Sequence, residues 1–197
     1  RALSAKGSAP TKFRQGISIM SKRISFEFFP PKTEQGREKL LNTQQKLLAK
    51  KPEFFSCTFG AGGSPRDNTR HMVELLREQH ADTAPHLSCI GQSRDEIMEL
   101  VNGYKESGVR RIVALRGDLP SGMGFPGDMR YAAELIDFIR AEHGTAFRIE
   151  VGAYPETHPD AASPEADLDN LKRKLDAGAS SAITQFFFDA STYLRFR

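Results

Sequence analysis

Apolar residues along the chain follow two alternating rhythms. Short β-rich runs occur at Ile24–Phe29, Phe54–Phe59, Pro85–Ile90, Arg111–Asp118, Arg148–Tyr154 and Ser181–Phe188. Between them the apolar positions take helical spacing: Leu40, Leu41, Leu47 and Leu48; Met72, Val73, Leu75 and Leu76; Ile97, Leu100, Val101 and Tyr104; Ala133, Leu135, Ile136 and Ile139; Leu168, Leu171 and Leu175. Ser93 and Ser163 suit N-caps, with Pro164 at a first helical position, and Gly108, Gly144 and Gly178 suit helix ends. The β runs recur every 26–37 residues without an accompanying sequence repeat. Strict βα alternation predicts a parallel sheet, either doubly wound or closed as a (β/α)8 barrel.

Side-chain alternation along the strands favours the TIM barrel. Phe26 and Phe28 share a face opposite Ser25 and Glu27; Cys57 and Phe59 oppose Ser56 and Thr58; Leu87 and Cys89 oppose His86 and Ser88. In the fourth run Val113 and Leu115 oppose Arg116 and Asp118; in the fifth Tyr154 lies with Glu150 and Gly152; in the sixth Gln185 is the strongly polar residue. Polar groups thus gather on one face toward the C-terminal strand ends, the rim where barrel active sites lie. The three leucines of the fifth helix are expected to face the core. Asp167, Asn170 and Lys174, at i, i+3 and i+7, line the neighbouring edge.

Composition narrows the function classes. The 197 residues are 39% hydrophobic and 27% charged, with a net charge of +3, the profile of a globular protein. No apolar run approaches the roughly 20 residues of a membrane-spanning helix, and so small a charge gives no case for nucleic acid or an anionic membrane as partner. The two cysteines, Cys57 and Cys89, sit in strand-like runs and read as buried free thiols in a reduced, cytoplasmic setting. Residues 1–23 carry Arg1, Lys6, Lys12, Arg14, Lys22 and Arg23 and no acid. They read as a disordered leader: an organelle transit peptide or, preferably, a vector-derived or upstream extension before a natural start at Met20. Residues 24–197 read as one barrel domain.

Several motifs carry chemistry. Glu27, within Phe26-Glu27-Phe28-Phe29-Pro30-Pro31, is a carboxylate among aromatics, whose desolvation suits a general acid near neutral pH; the bland alternative is an edge Glu reaching solvent or an ion pair. Arg116-Gly117-Asp118 can hold an anion beside a heteroatom, or form a structural ion pair. Gly122-Met123-Gly124-Phe125-Pro126-Gly127 matches G-x-G-x-x-G but does not stand at a strand end, so it reads as a loop over the rim. Gly60-Ala61-Gly62-Gly63-Ser64 lacks the Lys and Ser/Thr of a nucleotide-triphosphate loop. Tyr154-Pro155-Glu156-Thr157-His158-Pro159 leads into the fifth helix. No Cys or His spacing supports a metal site, and no strand-end Lys supports a Schiff-base aldolase.

Together these motifs resemble the methylenetetrahydrofolate reductase family, from about Ile24 to the last residue. The carriers are Ser25–Thr33, Ala84–Leu87, Ala114–Pro120, Ala153–Glu156 with His158-Pro159, Asn170–Lys174 and Thr184–Asp189. The resemblance implies reduction of 5,10-methylenetetrahydrofolate to 5-methyltetrahydrofolate, with FAD as cofactor and NAD(P)H as co-substrate in a ping-pong cycle. It implies Glu27 as the acid that opens the folate's methylene bridge, Asp118 as a carboxylate at the flavin and pterin, and Gln185 as a folate and nicotinamide contact. Thr58 would lie by nicotinamide and flavin. Phe59, Ala61, His86, Arg116, Gly117, Tyr131, Ala132, Tyr154, His158, Asp167, Asn170, Arg173 and Lys174 would form the FAD shell. Phe59 stands where the family often has Tyr, and Gly62-Gly63 departs from some relatives. The implied partners are the folate and the nicotinamide dinucleotide, in a homo-oligomer.

The alternatives are another FAD-linked barrel oxidoreductase, proline dehydrogenase-like, and an FAD-binding fragment without turnover. A barrel of this type takes about 250 residues. Six βα units are visible, so the sequence reads as a C-terminally incomplete barrel lacking its last two units.

Overall fold

The computed structural model describes residues 23–59, 66–79, 82–118 and 126–197, and only the backbone of 66–68. Most of the leader, Ala61 with its glycine-rich turn, and most of the Gly122–Gly127 run lie outside the described residues. Six strands alternate with six helices: β1 (Ser25–Phe28), α1 (Glu34–Leu48), β2 (Phe54–Cys57), α2 (Arg66–Glu78), β3 (Thr83–Ser88), α3 (Arg94–Glu106), β4 (Arg111–Leu115), α4 (Ala132–His143), β5 (Arg148–Ala153), α5 (Pro164–Asp176), β6 (Ser181–Thr184) and α6 (Ala190–Phe196). All strands are parallel and stand in chain order, forming a six-stranded arc, a half-barrel of TIM type. Among the described residues β1 and β6 each have one strand neighbour.

Local signals set the helix ends. Ser93 caps α3 in a capping box with Glu96, and Ser163 caps α5 with Pro164 behind it. Gly108, Gly144 and Gly178 take positive φ at the helix exits. The outer face of the sheet carries Cys57, Leu87, Ile112, Ala114, Ile149 and Val151 into one core with Met72, Leu76, Ile97, Val101, Leu135 and Ile139 of the helices. The inner face carries a smaller cluster of Phe54, Ala84 and Val113 with Leu115.

Below that cluster, at the N-terminal strand ends, the inner face is ionic. Arg111 donates to Glu150 at 2.5 Å and to Glu53 at 2.9 Å, lies 3.5 Å from Asp82 and stacks over the Phe54 ring at 4.2 Å. Arg148 and Ser181 also bond Glu150. Burial opposes the Arg111 charge, but its hydrogen bonds to Glu150 and Glu53 outweigh that and hold the guanidinium above its usual range.

Several sequence expectations need correction. The strands end one to four residues early, and β3 begins at Thr83 rather than Pro85. It pairs with β2 through Thr83–Pro85 and with β4 through His86–Ser88. Proline, with no N–H to donate, therefore sits where pairing passes between neighbours. On β4 it is Val113 and Leu115 that face inward, so alternation alone would send Arg116 outward. The strand stops at Leu115, and Gly117 at φ +82° turns the chain before that parity applies. Leu171 joins the core, but Leu168 and Leu175 are 51% and 45% exposed, because the core takes up only the middle position of the stripe.

Candidate active site

The polar inner-face residues converge at the C-terminal strand ends. Glu27 on β1 is in register with Ser56 on β2, and Ser56 with Ala84 on β3. Two residues on, His86 enters the same mouth, its Nε2 3.6 Å from Glu27 Oε2. His86 is 8% exposed, and burial lowers its imidazole to about 4, so it is neutral at physiological pH. Burial pushes the Glu27 carboxyl the other way, upward. A protonated Glu27 needs only a small rotation to donate to His86 Nε2, which has no hydrogen-bond partner among the described residues. Thr58 Oγ1, just past β2, is likewise buried and unpartnered. Cys57 points to the outer core; burial, then the Glu27 charge, raises its thiol to about 12, so it stays protonated.

The turn after β4 carries the next groups. Ser88 Oγ donates to Arg116 O at 2.7 Å, and a Cβ placed on Gly117 would lie 1.9 Å from that Oγ, so only glycine fits. Arg116 pairs with Asp160 at 2.8 Å. That hydrogen bond and charge hold the Asp160 carboxyl below its usual range. Asp118 is exposed beyond the turn.

The segment after β5 completes the rim. The Tyr154 and His158 rings meet edge-to-face at 4.5 Å. His158 N donates to Asp167 on α5 at 2.8 Å, and Asp160 N donates to His158 Nδ1 at 3.0 Å. Thr157, at φ +88°, is a strained non-glycine residue in this segment. Lys174 reaches from α5 to Gly152 O at 2.5 Å; burial lowers its amine and Asp167 opposes that shift. Burial, then Asp167 and Asp118, raises the Tyr154 phenol. Gln185 N donates to Ala153 O at 2.6 Å, which fixes Gln185 just past β6. A separate cavity of about 460 Å³ between α2 and α3, lined in part by Arg70, Glu99 and Glu106, lies in the helix layer and shares no residue with this mouth.

A family model described as Methylenetetrahydrofolate reductase matches residues 12–197. The chain belongs to the methylenetetrahydrofolate reductase family. The 5,10-methylenetetrahydrofolate reductase of Pectobacterium carotovorum subsp. carotovorum is 51% identical over 175 residues, covering 88% of this chain and 57% of its own length. That of Escherichia coli (strain K12) is 47% identical, covering 88% and 58%. A probable methylenetetrahydrofolate reductase (NADH) of Oryza sativa subsp. japonica is 39% identical over 187 residues, covering 88% and 32%. The chain thus spans less than three-fifths of the bacterial relatives' length. At the level of fold it is similar to 2,3-dimethylmalate lyase (TM-score 0.60, 12% identity, covering 88% of this chain and 61% of that one). It is equally similar to an uncharacterized protein from Clostridium thermocellum described as binding two copies of 5-methyl-5,6,7,8-tetrahydrofolic acid (TM-score 0.60, 16% identity, 89% and 58%).

For this member of the methylenetetrahydrofolate reductase family, the structure brings Glu27, Thr58 and His86 to one side of the mouth. Arg116, Gly117, Asp118, Tyr154, His158, Asp167 and Lys174 stand on the other. Phe59 follows Thr58; Asn170 and Arg173 share α5 with Lys174; Tyr131 and Ala132 open α4, Tyr131 being 56% exposed. Ala61 lies outside the described residues. Sequence reasoning did not single out Asp160, whose loop has no spacing signature, nor Ser88 and Gln92. Ser88 was legible as a polar inner-face position; its partner, a backbone carbonyl 28 residues away, was not.

Proposed function

We propose that the protein reduces 5,10-methylenetetrahydrofolate to 5-methyltetrahydrofolate, with FAD held at the strand ends and NAD(P)H as reductant. The observation that carries the reading is a buried neutral His86 facing an inner-face Glu27 whose carboxyl burial keeps protonatable, in a chain of this family. The residues fit a flavin dinucleotide. Thr58 Oγ1 and His86 Nε2 are buried polar atoms without a hydrogen-bond partner among the described residues. Gly117 leaves the backbone bare at the turn, and Arg116, Arg173 and Lys174 supply cations for a pyrophosphate. Tyr131, Ala132, Tyr154, His158, Asp167 and Asn170 would complete the binding set, with Phe59 offering its ring or backbone.

When bound, FAD supplies two-electron transfer from NAD(P)H to the folate. Glu27 gives its proton to the bridge nitrogen that leaves, the C–N bond breaks, and the remaining nitrogen's lone pair forms the iminium whose carbon is reduced to methyl. Neutral His86 holds the acid in place without competing for that proton at neutral pH. Asp118 puts a carboxylate beside the pterin and keeps negative charge at the mouth, and Gln185 would contact folate and nicotinamide in turn.

The test is spectroscopic. The purified chain is mixed with FAD, reduced anaerobically with NADH or NADPH, and then mixed with methylenetetrahydrofolate; a separate sample, left oxidised, is mixed with proline as donor. Bleaching by the nicotinamide and recovery of the yellow band with the folate supports the reading. Bound FAD that the folate never reoxidises refutes it.

A further inference from the structure

We propose that Ser88 is a positioning residue whose hydroxyl latches the Arg116–Gly117–Asp118 turn and so sets how Arg116 and Asp118 are presented to the dinucleotide cofactor. The inference rests on the FAD reading above and adds to it a residue that acts through the turn.

Ser88 is the last residue of β3 and is 8% exposed. Its backbone partner across the sheet is Leu115, the last residue of β4, so the turn begins where the ladder ends. A chain leaving a strand through a glycine at φ +82° departs from the ladder, and backbone bonds from Cys89 N to Leu115 O and from Ile90 N to Arg116 O hold only its first residues. Here the direction is fixed from β3. Arg116 O accepts the Ser88 hydroxyl at 2.7 Å and Ile90 N at 2.9 Å. Pinning that carbonyl fixes the peptide plane shared by Arg116 and Gly117. The exit directions of the Arg116 side chain and of Asp118 are thereby fixed too.

The packing says the same. Gly117 sits so close that a methyl there would overlap Ser88 Oγ, so the hydroxyl and the turn have no slack between them. Ser88 is itself held from behind. Gln92, 1% exposed, donates its side-chain amide to Ser88 O. The same turn also grips the far stem of the β4–α4 connection: Gly91 N donates to Pro126 O at 2.9 Å and Asp128 N to Gln92 O at 3.0 Å. A side chain that only stabilised β3 would act through the ladder, and the ladder uses Ser88's backbone. The hydroxyl acts on the turn alone.

The experiment compares Ser88→Ala and Ser88→Thr with the unaltered full chain. FAD binding is followed by quenching of flavin fluorescence, and the visible spectrum of the bound flavin is recorded. Far-UV circular dichroism checks the fold. Ser88→Ala is expected to keep its helical signal, weaken FAD binding about tenfold and alter the bound flavin's band shape, while Ser88→Thr, which keeps the hydroxyl, restores both. Ser88→Ala binding FAD with unchanged affinity and spectrum overturns the inference alone. Failure of the unaltered chain to take up FAD overturns the functional reading and this inference with it. Should Ser88→Ala not fold, Ser88→Cys, whose thiol is a weaker donor, takes its place under the same two outcomes.

Discussion

Replacing Arg111 with Met tests how the half-barrel is held at its floor. Arg111 and Glu150 are 8% and 3% exposed in their side chains, so removing the guanidinium leaves a buried carboxylate short of its main partner. Breaking a buried pair this way costs about 3–5 kcal/mol. The lower end applies, because Arg148 and Ser181 remain on Glu150 and Arg23 remains 3.7 Å from Glu53. About 3 kcal/mol lowers the melting temperature of a chain this size by roughly 6–12 °C. Urea unfolding followed by circular dichroism measures the loss directly. The double variant Arg111→Met/Glu150→Gln removes the stranded charge and is expected to recover at least about 1 kcal/mol relative to the sum of the single losses. A single-variant loss below about 1 kcal/mol, or strictly additive variants, refutes the view that Arg111 neutralises Glu150.

Three further outcomes are expected. Glu27→Gln keeps FAD binding and reduction by NAD(P)H but loses folate reduction by at least about a hundredfold, read by stopped-flow absorbance; undiminished folate reduction removes Glu27 from the acid role. His86 has a folded-state value of about 4 against the usual 6.5, so its share of stability is complete above 6.5 and is lost as pH falls toward 4, by up to about 3 kcal/mol. Burial-raised Glu27 acts in the opposite sense and burial-lowered His143 in the same sense, so urea midpoints of Glu27→Gln with and without His86→Gln between pH 7 and 4 isolate the His86 slope; identical profiles count against a buried neutral imidazole. Asp160→Asn frees Arg116 from an exposed pair and is expected to tighten FAD binding about two- to fivefold at low salt, whereas weaker binding in the same titration means that Asp160 orients Arg116.

The periodicity of the chain was enough for the architecture, because each β run and each helix carries its own apolar rhythm and Ser93, Ser163 and the three exit glycines mark the boundaries. Glu27 and His86 were legible for the same reason: inside a strand, alternation decides which way a side chain points. Arg116 marks where that logic stops. Its place depends on a strand ending at Leu115 and on a glycine turning the chain, and neither is a periodic signal. Asp160 and Ser88 matter through partners 44 and 28 residues away, a separation that only the side-by-side order of β3, β4 and β5 brings together. Leu168 and Leu175 stand exposed against expectation because a helical stripe shows which side is apolar but not whether a neighbour covers all of it.

The two ends of the inner face are built on opposite principles. At the floor the charges of Arg111, Arg148, Glu53, Asp82 and Glu150 pair with one another, and Ser181 takes up a further Glu150 oxygen. At the mouth the same strands and their exits carry Thr58 Oγ1 and His86 Nε2, buried with no hydrogen-bond partner among the described residues, and a carboxyl that burial holds above its ordinary range. Leaving such atoms unsatisfied costs about 1–3 kcal/mol each, a cost a purely structural site would remove with an apolar side chain. One shared face therefore separates the tasks. The saturated floor fixes the strands in register, and the strands carry Glu27, His86 and Ser88 to the mouth at set heights. The uncommitted donors and acceptors sit where a ligand can complete them. Substitutions at the floor should accordingly change stability before chemistry, and those at the mouth should do the reverse.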